Sequence, residues 1–219
     1  MTKEEENMKV LMLNGSWNAD GATGAGLKIM AKVFAEQGIE TEIVNLGAKP
    51  VRDCIACCKC GELKQCVFND DAVNEFARKA DGADGFVFGT PVYYAHPSGR
   101  ILSFLDRLFF SSKAKDHPTR FQHKPAASIV VARRGGTTAA YDVMNKYFGI
   151  SNMLAVGSTY WNNFHAGQPD DVPEDAEGVQ TLENLARNMS WLMKCLKAGR
   201  EAGIPLPEIR RGSITNFVR

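Results

Sequence analysis

Residues 9–13 (Lys-Val-Leu-Met-Leu) form a nearly unbroken apolar run ending in Asn14-Gly15-Ser16, the pattern of a strand buried on both faces that exits into a turn. Leu27, Met30, Val33 and Phe34 then recur at three-to-four spacing and Gly38 closes the run, which predicts a helix over residues 23–37. Residues 41–46 give a second strand, completing a βαβ unit with a right-handed crossover and a parallel sheet. Asn69-Asp70-Asp71 reads as an N-cap with early acids for a helix carrying Val73, Phe76 and Ala80, and residues 85–89 as the third strand. A helix opening near Ser98 carries Ile101, Phe104, Leu105 and Leu108. Residues 126–132 make a fourth strand, Tyr141, Met144 and Phe148 mark another helix, and residues 153–156 give a weak fifth strand. Leu182, Leu185, Met189, Leu192 and Leu196 line a long last helix. Five strands alternating with helices predict a three-layer α/β/α domain, doubly wound on a parallel sheet.

The helical pattern stops at Ala198, where Gly199, Gly203, Pro205 and Pro207 follow. The expected division is a domain over 1–198 and a C-terminal extension over 199–219. Ile214, Phe217 and Val218 are large for a solvated tail, so the extension is expected to pack on a neighbouring subunit of a homodimer or homotetramer.

Lys plus Arg total 26 against 25 Asp plus Glu, a balance that excludes a bulk electrostatic grip on nucleic acid or anionic lipid. An acidic N-terminus without an apolar segment and the lack of any long apolar run predict a cytoplasmic protein with no membrane partner. Of six cysteines, five fall between Cys54 and Cys66, which points to a metal or redox site rather than disulfide staples.

In a doubly wound sheet, ligands bind beyond the carboxyl ends of the strands. The loop after the first strand, residues 14–23, offers Ser16, Asn18, Gly21, Ala22 and Thr23 ahead of a helix N-terminus, a setting that suits an anion. It lacks the Gly-Lys-Ser/Thr of a P-loop and the G-x-G-x-x-G of a dinucleotide site. An ordinary capped turn is the competing reading. After the third strand, Thr90-Pro91-Val92-Tyr93-Tyr94 combines stiff backbone with flat apolar rings, as a planar heteroaromatic ligand needs, although a buried turn would look similar. After the fourth, Arg133-Arg134-Gly135-Gly136 offers accessible N–H groups and positive charge, or a solvated turn. His96, alone in its loop, is assigned no catalysis.

Cys54, Cys57, Cys60 and Cys66 stand as C-x2-C-x2-C-x5-C with Cys58 extra. Four thiolates so close can wrap one [4Fe-4S] cubane; zinc, usually held by two separated knuckles, is less well served, and a bare thiol loop is the third reading. Cys195 reads as a packing residue of the last helix.

Gly15-Ser16 with Gly21-Ala22-Thr23 resembles the Gly-Ser-Pro-Arg-x-x-Gly-Asn-Thr loop of the flavodoxin-like NADPH-dependent FMN reductase family, with Trp17, Asn18 and Ala22 departing from its Pro, Arg and Asn. Thr90 to Tyr93 with Phe104-Leu105-Asp106-Arg107 is similar to that family's Ser/Thr-Pro-Val-Tyr and Phe-hydrophobic-Asp-Arg, and Arg133 to Gly136 to its Arg-x-Gly-Gly. Ser158-Thr159-Tyr160-Trp161-Asn162 resembles a subgroup of it, and the cysteine spacing resembles the iron-sulfur flavoprotein branch. The resemblance implies a flavodoxin-like fold and FMN. Ser16, Asn18, Gly21, Ala22 and Thr23 would lie on its phosphate, and Pro91, Val92, Tyr93, Tyr94, Arg133, Gly135 and Gly136 on its ring. It also implies NAD(P)H as transient donor, a [4Fe-4S] cluster on Cys54, Cys57, Cys60 and Cys66, and a small-molecule acceptor or redox protein as partner. Asp106 and Arg107 are expected to fix the helix and subunit contacts. The activity so implied is an FMN-dependent oxidoreductase with its chemistry at the flavin and no catalytic side chain. The alternative is a non-enzymatic electron carrier between a ferredoxin-like donor and a partner.

Overall fold

The computed structural model describes residues 7–112, 120–209, 213 and 215. The chain runs β1 (Lys9–Asn14), α1 (Ala22–Glu36), β2 (Glu40–Asn45), α2 (Cys60–Leu63), α3 (Val73–Asp81), β3 (Gly85–Pro91), α4 (Gly99–Ser111), β4 (Pro125–Ala132), α5 (Thr137–Ile150), β5 (Leu154–Ala155), β6 (Asn163–His165), a 3-10 helix (Pro169–Glu174) and α6 (Ala176–Glu201).

Side chains alternate across a strand, so an apolar run supplies two cores at once. On β1, Leu11 and Leu13 join Phe86 and Phe88 of β3 beneath Phe76 of α3, Phe104 of α4 and Phe148 of α5. Val10 and Met12 point the other way, with Val87, Ile129 and Val131, onto Leu27, Met30 and Phe34 of α1 and Leu182, Leu185 and Met189 of α6. Each such side chain contributes about 1.5–3 kcal/mol by leaving water. Phe76 meets Phe104 edge-on at 5.4 Å, the geometry favoured by the ring quadrupoles.

The strand order is β2-β1-β3-β4-β5, all parallel, with β6 also on β4. The order reverses between β1 and β3, so the loops leaving β1, β3 and β4 share one rim at the switch point. The fifth position is split. Leu154–Ala155 pairs with Pro125 and Ala126, Asn163–His165 pairs with Val130 to Ala132, and residues 157–161 leave the sheet between them. The expected strand over 153–156 is thus only two residues long.

Four further expectations need correction. The cap of α3 is Ala72, while Asp71 accepts from the Val73 N–H at 3.1 Å and turns its other oxygen to Arg107. The last helix passes Ala198 and Gly199 to reach Glu201, because a single glycine costs only about 1 kcal/mol inside a long packed helix. Cys195 is exposed; Met193, not Leu196, continues the buried stripe. Among the described residues no helix is long and apolar enough to cross a membrane. Beyond α6, Ile204, Leu206 and Ile209 are exposed at 66%, 56% and 39%, and Ile214, Phe217 and Val218 lie outside the described residues.

Candidate functional site

The loop leaving β1 is organised by the residue that ends the strand. Asn14 is fully buried: its Oδ1 accepts from the Ser16 N–H at 3.0 Å, while its Nδ2 donates to Asn45 Oδ1 at 3.0 Å and to the Asn18 and Ala19 carbonyls at 3.4 Å. An Asn ending an apolar strand is the available signal, since its short amide closes turns on its own backbone. Ser16 Oγ accepts from the Asn18 N–H at 3.2 Å, and Asn18 Oδ1 from the Asp20 N–H at 3.0 Å. No side chain caps Gly21, no acid sits in the first turn of α1, and the helical ladder begins with Ala25 N–H on the Gly21 carbonyl at 3.0 Å. The N–H groups of Ala22, Thr23 and Gly24 precede that ladder, so the positive end of the dipole faces the loop uncompensated. Asp20, on the loop, is paired with Lys28 at 2.8 Å, and the ammonium holds its carboxyl below the usual range.

The β3 loop is stitched to this one. Gly15 N–H donates to the Gly89 carbonyl at 2.8 Å, and Ser98 Oγ donates to the Gly15 carbonyl at 2.9 Å while accepting from the Ile101 N–H at 3.3 Å as the cap of α4. Thr90 Oγ1, fully buried, accepts from Ser98 N–H at 3.1 Å and donates to the Pro91 carbonyl at 3.1 Å. A Cβ on Gly15 would lie 2.7 Å from Ile101 Cδ1 and 2.9 Å from the Gly89 oxygen, so only glycine allows this approach. Val92 N–H extends the ladder onto the Val131 carbonyl at 2.8 Å, and Val92 pairs with Pro97 to close a tight loop that displays Tyr93 and Tyr94. Tyr93 OH reaches back to the first loop, 3.3 Å from Ser16 Oγ and from Trp17 N. His96 is exposed.

The β4 loop joins the same rim. Gly136, at φ 97°, caps α5 in the left-handed region, and a Cβ there would meet Val92 Cγ1 at 3.1 Å. Arg133, Arg134 and Gly135 are exposed beside it. Thr137 Oγ1 accepts from Asn163 Nδ2 at 3.0 Å, which ties α5 to β6. Tyr160 and Trp161, half exposed, pack at 5.0 Å in the excursion between β5 and β6. The expected residues of all three loops therefore share one rim, with Ser98, Thr90 and Asn14 locking it. Exposed Trp17, Tyr93 and Tyr94 give that rim flat apolar surfaces beside a row of unengaged backbone donors, a fit for a planar ring bearing an anionic tail.

The cysteines form a second site on the flank of α4. Cys54, Cys57, Cys58, Cys60 and Cys66 line one open pocket with Ile55, Phe68, Arg107 and Phe110. Ala56 and Cys58 take positive φ, which turns the chain sharply between thiols. Cys66 is the anchored member. Asn74 of α3 accepts from its N–H at 3.0 Å and donates to its carbonyl at 2.9 Å, and Arg107 Nε donates to its Sγ at 3.1 Å. Burial pushes the Cys60 thiol up, and nearby Cys57, Cys54 and Cys58 add to the shift. Among the described residues no three His, Cys, Asp or Glu side chains are placed to hold a metal ion. The donor set is all thiol and half shielded by apolar side chains, and soft thiols around one pocket suit iron and sulfide. Arg107, one of the two residues expected to fix the helix and subunit contacts, is fully buried and bonds residues of its own chain, while the other, Asp106, accepts from Tyr147 OH of α5 at 2.6 Å.

The chain is similar to an iron-sulfur flavoprotein of Methanocaldococcus jannaschii, 29% identical over 197 residues, which cover 87% of this chain and 100% of the relative. A second iron-sulfur flavoprotein of that organism is 25% identical over 85% of this chain and 98% of its own. In structure it is similar to RosB with bound 8-demethyl-8-formylriboflavin-5′-phosphate, at TM-score 0.65 and 16% identity over 97% of this chain and 94% of the other. A flavodoxin from the domain Archaea gives 0.56 and 13% over 85% and 99%. These likenesses show a flavodoxin-like fold. Residues 8–167, a span that holds all three rim loops and the cysteine pocket, match the model of the NADPH-dependent FMN reductase family, and to that family the chain belongs.

Proposed function

We propose that the protein is an FMN-dependent oxidoreductase fed by NAD(P)H, with a [4Fe-4S] cluster on Cys54, Cys57, Cys60 and Cys66 as a second redox centre. The observation that carries the flavin half is the locking of the β1 and β3 loops to each other at the switch point, beside the β4 loop, with the first turn of α1 left uncapped. The hydroxyls of Ser16 and Thr23, Asn18, and the backbone of Gly21, Ala22 and Thr23 would hold the phosphate. The backbone of Pro91, Val92, Tyr93 and Tyr94 would hold one edge of the ring, while Gly135 and Gly136 present N–H groups, and Arg133 positive charge, to its other polar edge. Bound flavin would supply the chemistry, taking a hydride equivalent from a nicotinamide and returning electrons singly or in pairs to a small acceptor or a redox protein. The chain's own part is to position the ring, screen one face with Tyr93 and Trp17, and favour a negative charge with Arg133. No side chain has to act as nucleophile or base.

The cluster half is supported by the relatives, both named as iron-sulfur flavoproteins, and by the clustering of thiols in one pocket. The electron-carrier reading is favoured by the exposure of Cys57 and Cys58, which leaves that pocket open to a protein donor. Anaerobically isolated protein separates these cases. The flavin bands, a broad iron–sulfur absorption with acid-labile sulfide, and NAD(P)H turnover with a small acceptor are expected. Reduction only by a low-potential protein donor would favour the carrier; no bound flavin and no quenching of added FMN would overturn both.

A further inference from the structure

Arg107 is the largest of the fully buried side chains, and its place on α4 is set by more contacts than an ion pair needs. Its two terminal nitrogens meet both oxygens of Asp71, and they also donate to the Arg52 carbonyl at 3.3 Å and the Phe68 carbonyl at 3.1 Å. Arg52 precedes the first cysteine and Phe68 follows the last, so one guanidinium fastens both feet of the cysteine loop to the helix. The Phe68 ring lies 5.2 Å from its carbon centre. With the plane of the group fixed on every other side, the remaining Nε–H has one direction left, and it points at Cys66 Sγ, 3.1 Å away.

We propose that Arg107 is a positioning residue for the iron–sulfur centre: it holds Cys66 as one fixed corner and, through the Nε–H to sulfur bond, raises the potential at which the cluster accepts an electron. The inference rests on the cluster reading above. Hydrogen bonds to ligand sulfurs and local charge are among the main determinants of such potentials. The reduced cluster carries one more negative charge, so a hydrogen-bond donor at a ligand sulfur favours it. In a potentiometric titration one electron passes from a low-potential reductant to the cluster, and no bond or proton changes partner.

Two measurements test this on the anaerobically reconstituted full chain. In wild-type protein labelled with arginine-15N, pulsed electron paramagnetic resonance of the reduced cluster should show a nitrogen coupling that changes with the label. In Arg107→Lys, which keeps the charge but cannot serve Asp71, both carbonyls and the sulfur together, the cluster should be harder to reduce. The expected shift is about tenfold in the reduced-to-oxidised ratio at a fixed ambient potential, ~59 mV for one electron. A structural staple alone would alter folding and leave both readouts unchanged. If the lysine variant does not fold, the wild-type coupling decides. A cluster with no arginine coupling, or with the same potential in a folded lysine variant, overturns the proposal while leaving the cluster reading intact. Failure of wild-type protein to assemble any cluster overturns both.

Discussion

Replacing Ser98 by alanine removes two things from one atom. Ser98 Oγ caps α4 by accepting from the Ile101 N–H, and it donates to the Gly15 carbonyl, which carries the first loop. Losing a serine cap costs about 1 kcal/mol, and leaving a buried carbonyl without its donor costs about 1–3 kcal/mol more. The variant should therefore be less stable by about 2–4 kcal/mol, a large share of the ~5–15 kcal/mol of an ordinary domain. Ser98→Gly separates the two effects, because glycine caps nearly as well as serine but donates nothing; its deficit should be smaller by about 1 kcal/mol, partly offset by added backbone freedom. Urea unfolding at neutral pH, with and without FMN, measures both. Because the Gly15 bond sets where Ser16 stands, the rise in midpoint on adding FMN should also shrink in both variants. A loss under about 0.5 kcal/mol in Ser98→Ala, within the range of an ordinary surface change, with the FMN response intact, would show that the first loop is not held through this hydroxyl.

Asn74 grips the cysteine segment at Cys66 N, Cys66 O and Phe68 O. Asn74→Ala should cost about 2–4 kcal/mol in urea unfolding and speed alkylation of Cys66 in the metal-free protein. The Glu42 carboxyl is held below its ordinary value of 4.5 by hydrogen bonds from Lys79 and Lys9. Its contribution should be fully present above pH 4.5 and fade as pH falls through the lower folded value; Glu42→Gln should be less stable by under about 1 kcal/mol at pH 7 and indistinguishable in strong acid. If the extension packs on a neighbouring subunit as expected, truncation after Gly203, which removes exposed Ile204, Leu206 and Ile209, should give a smaller assembly in light scattering, and unchanged mass would refute that expectation.

The layers of the fold were legible because apolar runs of period two and stripes of period 3.6 are direct records of burial. The rim loops were legible as segments for a related reason, since glycine, proline and hydroxyl residues cluster where a sheet edge ends. What holds the loops together was not. The roles of Asn14, Thr90 and Ser98 depend on atoms that meet across as many as 83 positions of chain, and nothing local marks a serine that must reach Gly15. The pattern of Phe-Leu-Asp-Arg points Arg107 to helix and subunit contacts, and its bond to Cys66, 41 positions away, is equally non-local. The end of α6 was misplaced because glycine is a weak local penalty that packing overrides. β6 was missed because a three-residue strand carries no periodicity.

The interrupted partner of β4 bears on how the molecule behaves in a crowd. An outer strand offers a ladder of unpaired donors and acceptors on which another chain can grow. Here that flank is broken into stubs of two and three residues, and between them Asn162 folds the backbone over by bonding the Val156 carbonyl at 3.1 Å. The opposite flank, β2, presents Glu40 and Glu42, the second paired with Lys9 and Lys79. Neither side provides a long, flat, uncharged template, so the sheet can keep its width at high concentration without recruiting a further strand from its neighbours.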